Sequence, residues 1–303
     1  MPTFSGLWTP KQIRNARADA RYPTTLPVEI LLVGGGGSGG SGYPNSGLGI
    51  GSGGGGGGVL YAAAVNLSYN FVHTITVGAG GGNTTTSANG NDSSIVLPEG
   101  TFTAFGGGRG GGYGGGAAAN GGSGGGDGSD LRGQATGSFS AVYGLSTQTT
   151  QGSFVGYGNR GGRASTNNPN SSILMGGGGG AGAVGIDANG STNTSGSGGA
   201  GVTIMGRAVA GGGGSNAYNG TDGTGATAFG GGNPYTAGTA NTGGGGGGAS
   251  YVSSNNGAGG SGIVVVRYLD SYPAAVVTGS PTYTQASGYK TYVFTGSGSI
   301  AFI

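Results

Sequence analysis

The sequence alternates between short apolar runs and long blocks of glycine. Five runs rich in Val, Ile, Leu and Phe have the length and composition of buried strands: residues 28–33, 73–77, 94–97, 101–105 and 263–268. Glycine dominates the blocks at residues 34–37, 53–58, 106–116, 176–180, 211–214 and 243–248. Because strand-like apolar runs alternate with these blocks, we expect the glycine to pack rather than to form flexible linkers.

Packed glycine tracts predict an unusual fold. Chains without side chains can approach closely, lie side by side as polyproline-II-type helices and bond to their neighbours rather than within themselves. The sequence therefore predicts a mostly β fold in which short strands form a sandwich or cap, combined with a bundle of polyglycine-II-like helices and one short N-terminal helix. No three-residue glycine repeat persists, which excludes collagen.

Composition divides the chain into three predicted regions. Residues 1–27 form an N-terminal docking arm, residues 28–268 a glycine-rich body, and residues 269–303 a C-terminal β cap or hairpin with two-residue alternation. We expect the apolar runs at 28–33 and 263–268 to pair and close the body.

The N-terminal arm has the signals of a short helix. Thr9 is a cap residue, Pro10 suits the first helical position, and Pro23 ends the segment. The candidates for docking the arm to another protein are Trp8, Lys11, Arg14, Arg17 and Arg21. Four of them are basic, so the partner surface would be acidic; the alternative is an ordinary solvated helical face.

Composition also limits the partners. Only 7% of residues are charged, with 11 basic against 9 acidic side chains, so we expect no steering of nucleic acid or anionic membranes. The apolar fraction of 34% implies a thin core that oligomerisation would relieve, and there is no cysteine to brace it. No run approaches the ~18 apolar residues of a membrane span, so we expect a soluble protein without a visible export signal.

Few residues could carry chemistry. His73, the only histidine, lies on the apolar face of an alternating run, which predicts a hydrogen-bonded sheet residue rather than a base or metal ligand. No glycine block continues as a phosphate loop, and no serine elbow precedes a helix. Residues 125–133 approach a calcium-binding nonapeptide through Asp130, but Arg132 replaces an apolar residue. We expect no cofactor, no metal and no enzymatic activity.

Tyrosine is the candidate residue for recognition, since a rigid ring with a polar tip suits stacking on sugars or protein surfaces. Those in or beside glycine-rich loops are Tyr43, Tyr113, Tyr143, Tyr157, Tyr218, Tyr235 and Tyr251. The alternative is that such rings cap glycine layers as structural residues. Arginine–glycine tracts at 105–113 and 160–163 are typical of RNA binding, but so few arginines neutralise too few phosphates.

Several stretches resemble a glycine-rich domain family of tailed-bacteriophage virion proteins, notably tail fibres and their tip adhesins. They are VEILLVGGGGSGG at 28–40, GGGGGGVLY at 53–61, ITVGAGGG at 75–82, NGNDSS at 89–94 and SGIVVVRY at 261–268. The resemblance covers about residues 28–303. It implies a homo-oligomer, a trimer, located on the virion, whose loops touch a host cell-surface glycan or outer-membrane protein. Another virion protein would then hold residues 1–27.

The resemblance leaves alternatives open. The run YVFTGSGSI at 292–300 is similar to the segment that opens such domains, so here it either folds back onto its own domain or is shared with a neighbouring subunit. The protein could also be a capsid-surface or connector protein without receptor binding. An ice-binding protein is a remote alternative, because Thr84–Thr86 and Ala117–Ala119 are too short and unrepeated to form a regular array.

Overall fold

A computed structural model describes residues 9–12, 24–42, 50–83, 86–112, 116–128, 142–167, 172–250 and 256–303. The strands in these ranges are β1 (Thr25–Val33), β2 (Val59–Ser68), β3 (Val72–Thr76), β4 (Ser93–Leu97), β5 (Gly100–Ala104), β6 (Val155–Tyr157), β7 (Ser165–Asn167), β8 (Ser172–Leu174), β9 (Val202–Ile204), β10 (Arg207–Val209), β11 (Ala217–Tyr218), β12 (Ile263–Leu269), β13 (Val276–Thr278), β14 (Thr282–Ala286), β15 (Tyr289–Phe294) and β16 (Gly298–Ala301).

Two antiparallel sheets pack face to face as a sandwich. The first has six strands in the order β14-β15-β12-β1-β2-β6, and the second has five in the order β13-β16-β3-β4-β5. Leu32 of the first sheet and Ile95 of the second belong to the core between them, and both are fully buried. The predicted mostly β class is therefore confirmed.

From Ile30 to Val33, strand β1 is buried on both faces, which explains why this part of the strand is continuously apolar. Ile30 and Leu32 face the core of the sandwich. Leu31 and Val33 face a second core on the other side of the sheet, which the β9–β10 hairpin covers through residues such as Val209.

The outer runs of the body pair as the sequence predicts. Strand β1 lies antiparallel to β12, with Ile30 opposite Val266. The C-terminal run 292–300 lies in β15 and β16, and these strands pair with β12 and β3 of the same chain. The segment therefore folds back onto its own domain. The division into three regions remains a prediction.

The glycine tracts extend from one end of the sandwich and together form what we call the glycine layer: residues 34–41, 51–58, 105–112, 122–128, 176–180, 211–215 and 243–249. Their glycines are buried almost throughout, so the prediction that the blocks pack is confirmed. Among the described residues there is no helix bundle, and helical conformation is limited to residues 10–12 and the 3₁₀ turn Thr227–Phe229. No helix among them is long and apolar enough to span a membrane.

Hydrogen bonds in the layer repeat every three residues. The backbone N–H groups of Gly34, Gly37 and Gly40 all donate to carbonyls of one neighbour, the tract 51–58. The two donors between each of these bond to two other segments. Each turn of the backbone thus joins three neighbours, which satisfies buried peptide groups without any side chain.

The tract 51–58 lies at the centre of the layer. It donates hydrogen bonds to residues 105–112, 176–180 and 243–249, and it accepts them from residues 34–41, 122–128 and 211–215. A methyl group built on Gly54 would overlap the carbonyl oxygens of Gly37 and Ser38. Only glycine fits at residue 54, because the backbones of neighbouring tracts occupy the space that a side chain would need.

Candidate functional site: the distal end of the glycine layer

One end of the glycine layer joins the sandwich, since residues 34 and 58 continue directly from β1 and into β2. The opposite end, which we call the distal end, is marked by hydrogen bonds that cross the tracts at one level. Gly40 donates to the carbonyl of Ser52 (2.8 Å), and Gly51 donates to that of Ala249 (2.9 Å). Gly51 also forms a β-bridge with Gly112. Segments that enter or leave the layer at this level therefore share one surface.

A polar cluster around Tyr235 lies at the distal end. The backbone N–H groups of Asn216 and Tyr235 donate to carbonyls of the layer at this level (3.1 and 3.0 Å). Asp222 Oδ1 accepts hydrogen bonds from Asn216 Nδ2 and the Ala217 N–H (both 2.8 Å), and the Tyr235 hydroxyl donates to Asp222 Oδ2 (3.4 Å). Asn216 Nδ2 also contacts the Tyr235 hydroxyl. Tyr235 keeps 47% of its surface exposed, so its ring is held in place yet accessible.

Tyr218 lies beside this cluster, one residue after Ala217. It belongs to β11, which pairs with β8 in a three-stranded distal sheet, β11-β8-β7, with Tyr218 opposite Ile173. The ring is partly buried. This small sheet therefore supports one face of the distal end.

Tyr143 lies on a flank of the layer beside two arginines, and the next residue, Gly144, donates to the Gly125 carbonyl (2.8 Å). The guanidinium carbons of Arg160 and Arg163 lie 4.9 and 5.4 Å from the centroid of the Tyr143 ring. Asp187 accepts from Arg160 Nη1 (3.2 Å) and from the Arg163 backbone N–H (2.9 Å), which fixes this arrangement. A hydrogen bond to Tyr143 raises the pKa of Arg163 further above its usual range. The cluster offers an aromatic ring and positive charge side by side.

Tyr157 lies apart from the other tyrosines. It is in β6, opposite Val59, at the end of the layer that joins the sandwich. Its ring packs against the second core. This position fits the alternative of a structural ring better than contact with a partner at the distal end.

The other three candidate tyrosines, Tyr43, Tyr113 and Tyr251, are outside the described residues. The nearest described residues on either side of them are 42 and 50, 112 and 116, and 250 and 256. Of these flanking residues, 42, 50, 112 and 250 adjoin the distal level defined above, because Gly40, Gly51, Gly112 and Ala249 meet there.

The predicted docking arm is described only at its start. The Thr9 N–H donates to Gln12 Oε1 (2.8 Å) and the Gln12 N–H to Thr9 Oγ1 (3.3 Å), which confirms Thr9 as the cap of a helical turn at residues 10–12. Lys11 is exposed on this turn. The other docking candidates, Trp8, Arg14, Arg17 and Arg21, are outside the described residues.

His73 is a buried sheet residue, as the sequence predicts. Its Nδ1 lies 3.2 Å from the Val96 carbonyl oxygen and its Nε2 lies 3.4 Å from that of Ser68. Burial lowers the pKa of His73 because the charged imidazolium would lose its hydration. Within the described ranges, no group of three or more His, Asp or Glu side chains could hold a metal ion. Asp130, the candidate calcium ligand, falls outside those ranges.

Sequence reasoning missed Asp222 and the arginines beside Tyr143 as parts of a site. In the sequence, Arg160 and Arg163 fit only the pattern of an RNA-binding tract, and Asp222 is a lone acidic residue between Thr221 and Gly223. The signal that could have found them is the placement of the few charged residues next to tyrosine-bearing loops.

A family model described as a glycine-rich domain matches residues 18–269. No curated protein matches the chain.

Proposed function

This chain belongs to the glycine-rich domain family, and from that premise we propose that it is a structural protein of a bacteriophage virion. Its place is the tail fibre or fibre tip, where the distal end of the glycine layer meets the host surface. The observation that carries this proposal is the segregation of side chains. The interior of the layer is almost bare backbone, whereas Tyr218 and Tyr235 lie at its distal end and Tyr143 lies on its flank.

We also propose that the tracts of the layer are polyglycine-II-like helices. The support is the three-residue repeat of their hydrogen bonds, because a helix of this type has three residues per turn and no internal hydrogen bonds. The six neighbours around residues 51–58 fit the same geometry, since each turn directs three donors and three acceptors outward.

A stiff support would favour recognition by a few side chains. Binding loses less conformational entropy when the contact residues are already ordered. The Tyr143 ring and its two flanking arginines could stack on a sugar, and the Asn216–Asp222–Tyr235 cluster offers hydrogen-bond donors and acceptors. The proposed ligand is a host cell-surface glycan or the exposed part of an outer-membrane protein.

In this proposal the N-terminal arm attaches the protein to the virion. The protein assembles as a homo-oligomer, and the sequence resemblance implies a trimer. Because β1 begins at Thr25, deletion of residues 1–23 leaves every described strand intact. The shortened protein should fold and fail to join particles. Incorporation at the wild-type level would contradict the docking role.

Recognition is tested by competition for adsorption. Purified protein is incubated with host cells before phage are added, and the adsorption rate constant is measured. Wild-type protein should slow adsorption. The double variant Tyr143→Ala/Tyr235→Ala should require about tenfold more protein for the same effect, equivalent to roughly 1.4 kcal/mol of binding free energy.

The matched control is Val72→Ala/Val276→Ala, which removes two exposed side chains from the sandwich and should compete like wild type. If the protein is found on virions but the purified protein never slows adsorption, the recognition role is wrong and a connector or capsid-surface role replaces it. Absence of the protein from virions would overturn the proposal as a whole.

A further inference from the structure

Strand β14 forms an open edge of the six-stranded sheet. It pairs with β15 on one side, and all five of its residues are exposed. Ser287 and Gly288 join the two strands, and both have positive φ angles (52° and 80°), as a type I′ hairpin turn requires. The hairpin register places Tyr283 opposite Tyr292 and Thr284 opposite Thr291.

The register also shows which backbone groups point away from the sheet. In a hairpin with a two-residue turn, the closing pair is hydrogen-bonded and alternate pairs follow it. The backbone groups of Ala286, Thr284 and Thr282 therefore face β15, whereas those of Tyr283 and Gln285 face outward. None of these outward groups takes part in a hydrogen bond to another described segment.

Two other sheet edges, those of β5 and β6, are partly covered by side chains. On β5, Gln151 bonds both the N–H and the carbonyl of Thr103 (2.9 and 2.8 Å). On β6, the Gly156 N–H donates to Thr150 Oγ1 (3.3 Å). The β14 edge has no such cover. It is also longer than the β13 edge, which has three residues.

The open edge also lacks charged residues, which natural sheets use to prevent edge pairing. No charged residue occurs from Ser271 to Tyr289. The nearest one, Lys290, is buried, and its ammonium group donates to backbone carbonyls, including that of Tyr272 (2.7 Å). Nothing in the strand would repel a second copy of itself.

We propose that β14 pairs antiparallel with β14 of a second copy of this chain, about a twofold axis at Thr284. Tyr283 of each copy then lies opposite Gln285 of the other, and these pairs exchange their outward N–H···O bonds. Within one chain the Tyr283 hydroxyl already donates to Gln285 Oε1 (3.0 Å) on one face, so the same side chains can bond across the axis.

This pairing joins two six-stranded sheets edge to edge. The contact is isologous, which means that it links copies in pairs and cannot by itself close a trimer. It does not depend on the proposed virion function, because it concerns a strand of the sandwich far from the distal end.

A single cysteine tests the contact, since the protein has none of its own. On the axis, the two Thr284 residues form a non-hydrogen-bonded pair whose Cα atoms lie about 4.5 Å apart, within disulfide range. Thr284→Cys should form disulfide-linked dimers rapidly in mild oxidant. Thr101→Cys, at an exposed residue of β5 in the other sheet, is the matched control and should form no disulfide-linked dimer under the same conditions.

The second measurement is sedimentation velocity over a range of protein concentrations. Wild-type protein should shift towards a species of twice the mass as concentration rises, and Thr284→Lys should shift far less because two like charges would then face each other. Thr101→Lys should behave like wild type. The proposal is overturned if Thr284→Cys crosslinks no faster than Thr101→Cys, or if Thr284→Lys associates like wild type.

Discussion

The sandwich and the glycine layer are stabilised by opposite means. In the sandwich, large side chains such as Leu32, Ile95 and Phe294 are buried, and burial of apolar surface drives packing. In the layer, the interior is backbone. Hydrogen bonds to six surrounding segments satisfy the peptide groups of the tract 51–58. Each such bond contributes only about 1 kcal/mol net. The layer therefore depends on many bonds formed together, with no space lost to side chains.

Two of the few side chains inside the layer follow the same rule. Ser52 and Ser215 are fully buried, and their hydroxyls donate to backbone carbonyls, those of Gly111 (2.8 Å) and Met175 (2.9 Å) respectively. A small polar side chain is tolerated where it adds a bond to the backbone. The comparison thus predicts that the sandwich fails when side chains are removed and the layer fails when they are added.

The largest effect is expected from Gly54→Ala. The added methyl group would overlap the carbonyl groups of Gly37 and Ser38 in the neighbouring tract, which is itself hydrogen-bonded to other segments, so we expect a loss of more than about 3 kcal/mol or no folded protein. Urea unfolding followed by circular dichroism measures this.

Gly82→Ala is the matched control, because a methyl group there meets nothing within 4 Å. Its unfolding midpoint should stay close to wild type. Equal stability of the two variants would mean that the tracts are not closely packed.

A smaller effect is expected from Leu32→Ala in the sandwich. Leu32 is fully buried, and truncation leaves a cavity that should lower the free energy of unfolding by about 2–5 kcal/mol. Leu269→Ala, at a side chain that is 49% exposed, is the control and should change stability little. If both substitutions have the same small effect, side-chain packing does not hold the sandwich.

The smallest effect concerns pH. The folded pKa of His73 is lowered by burial, so the unfolded chain binds more protons below its ordinary pKa of about 6.5. Stability should therefore be complete above pH 6.5 and decline as pH falls towards the lowered value.

Urea midpoints at pH 7.5 and 5.5 test this expectation. His73 is the only histidine, so His73→Gln should show less decline between the two pH values. An identical decline in both proteins would assign the pH dependence to other groups.

The sequence predicted the elements that have a distinctive residue pattern. The pairing of residues 28–33 with 263–268 follows from two strongly apolar runs at the ends of the body, the buried role of His73 from alternation, and the cap at Thr9 from local chemistry. Strands of two or three residues such as β7, β8 and β11 have no readable period, because long-range pairing defines them.

Glycine tracts pose a different problem for prediction. Residues 53–58 are identical to one another, so nothing in them specifies which neighbour or register each will take. The loops and strands that begin and end the tracts must set that register. For the same reason, the sequence does not show that Arg160 and Arg163 lie beside the Tyr143 ring. That contact depends on how the neighbouring tracts pack.

Amide hydrogen exchange tests the central claim most directly, namely that bare backbone forms a rigid layer. In the folded protein, the amides of residues 53–58 and 243–248 should exchange as slowly as those of β1 in the sandwich, because opening them requires global unfolding. Fast exchange throughout both tracts, alongside slow exchange in β1, would contradict the account and make the tracts flexible tethers.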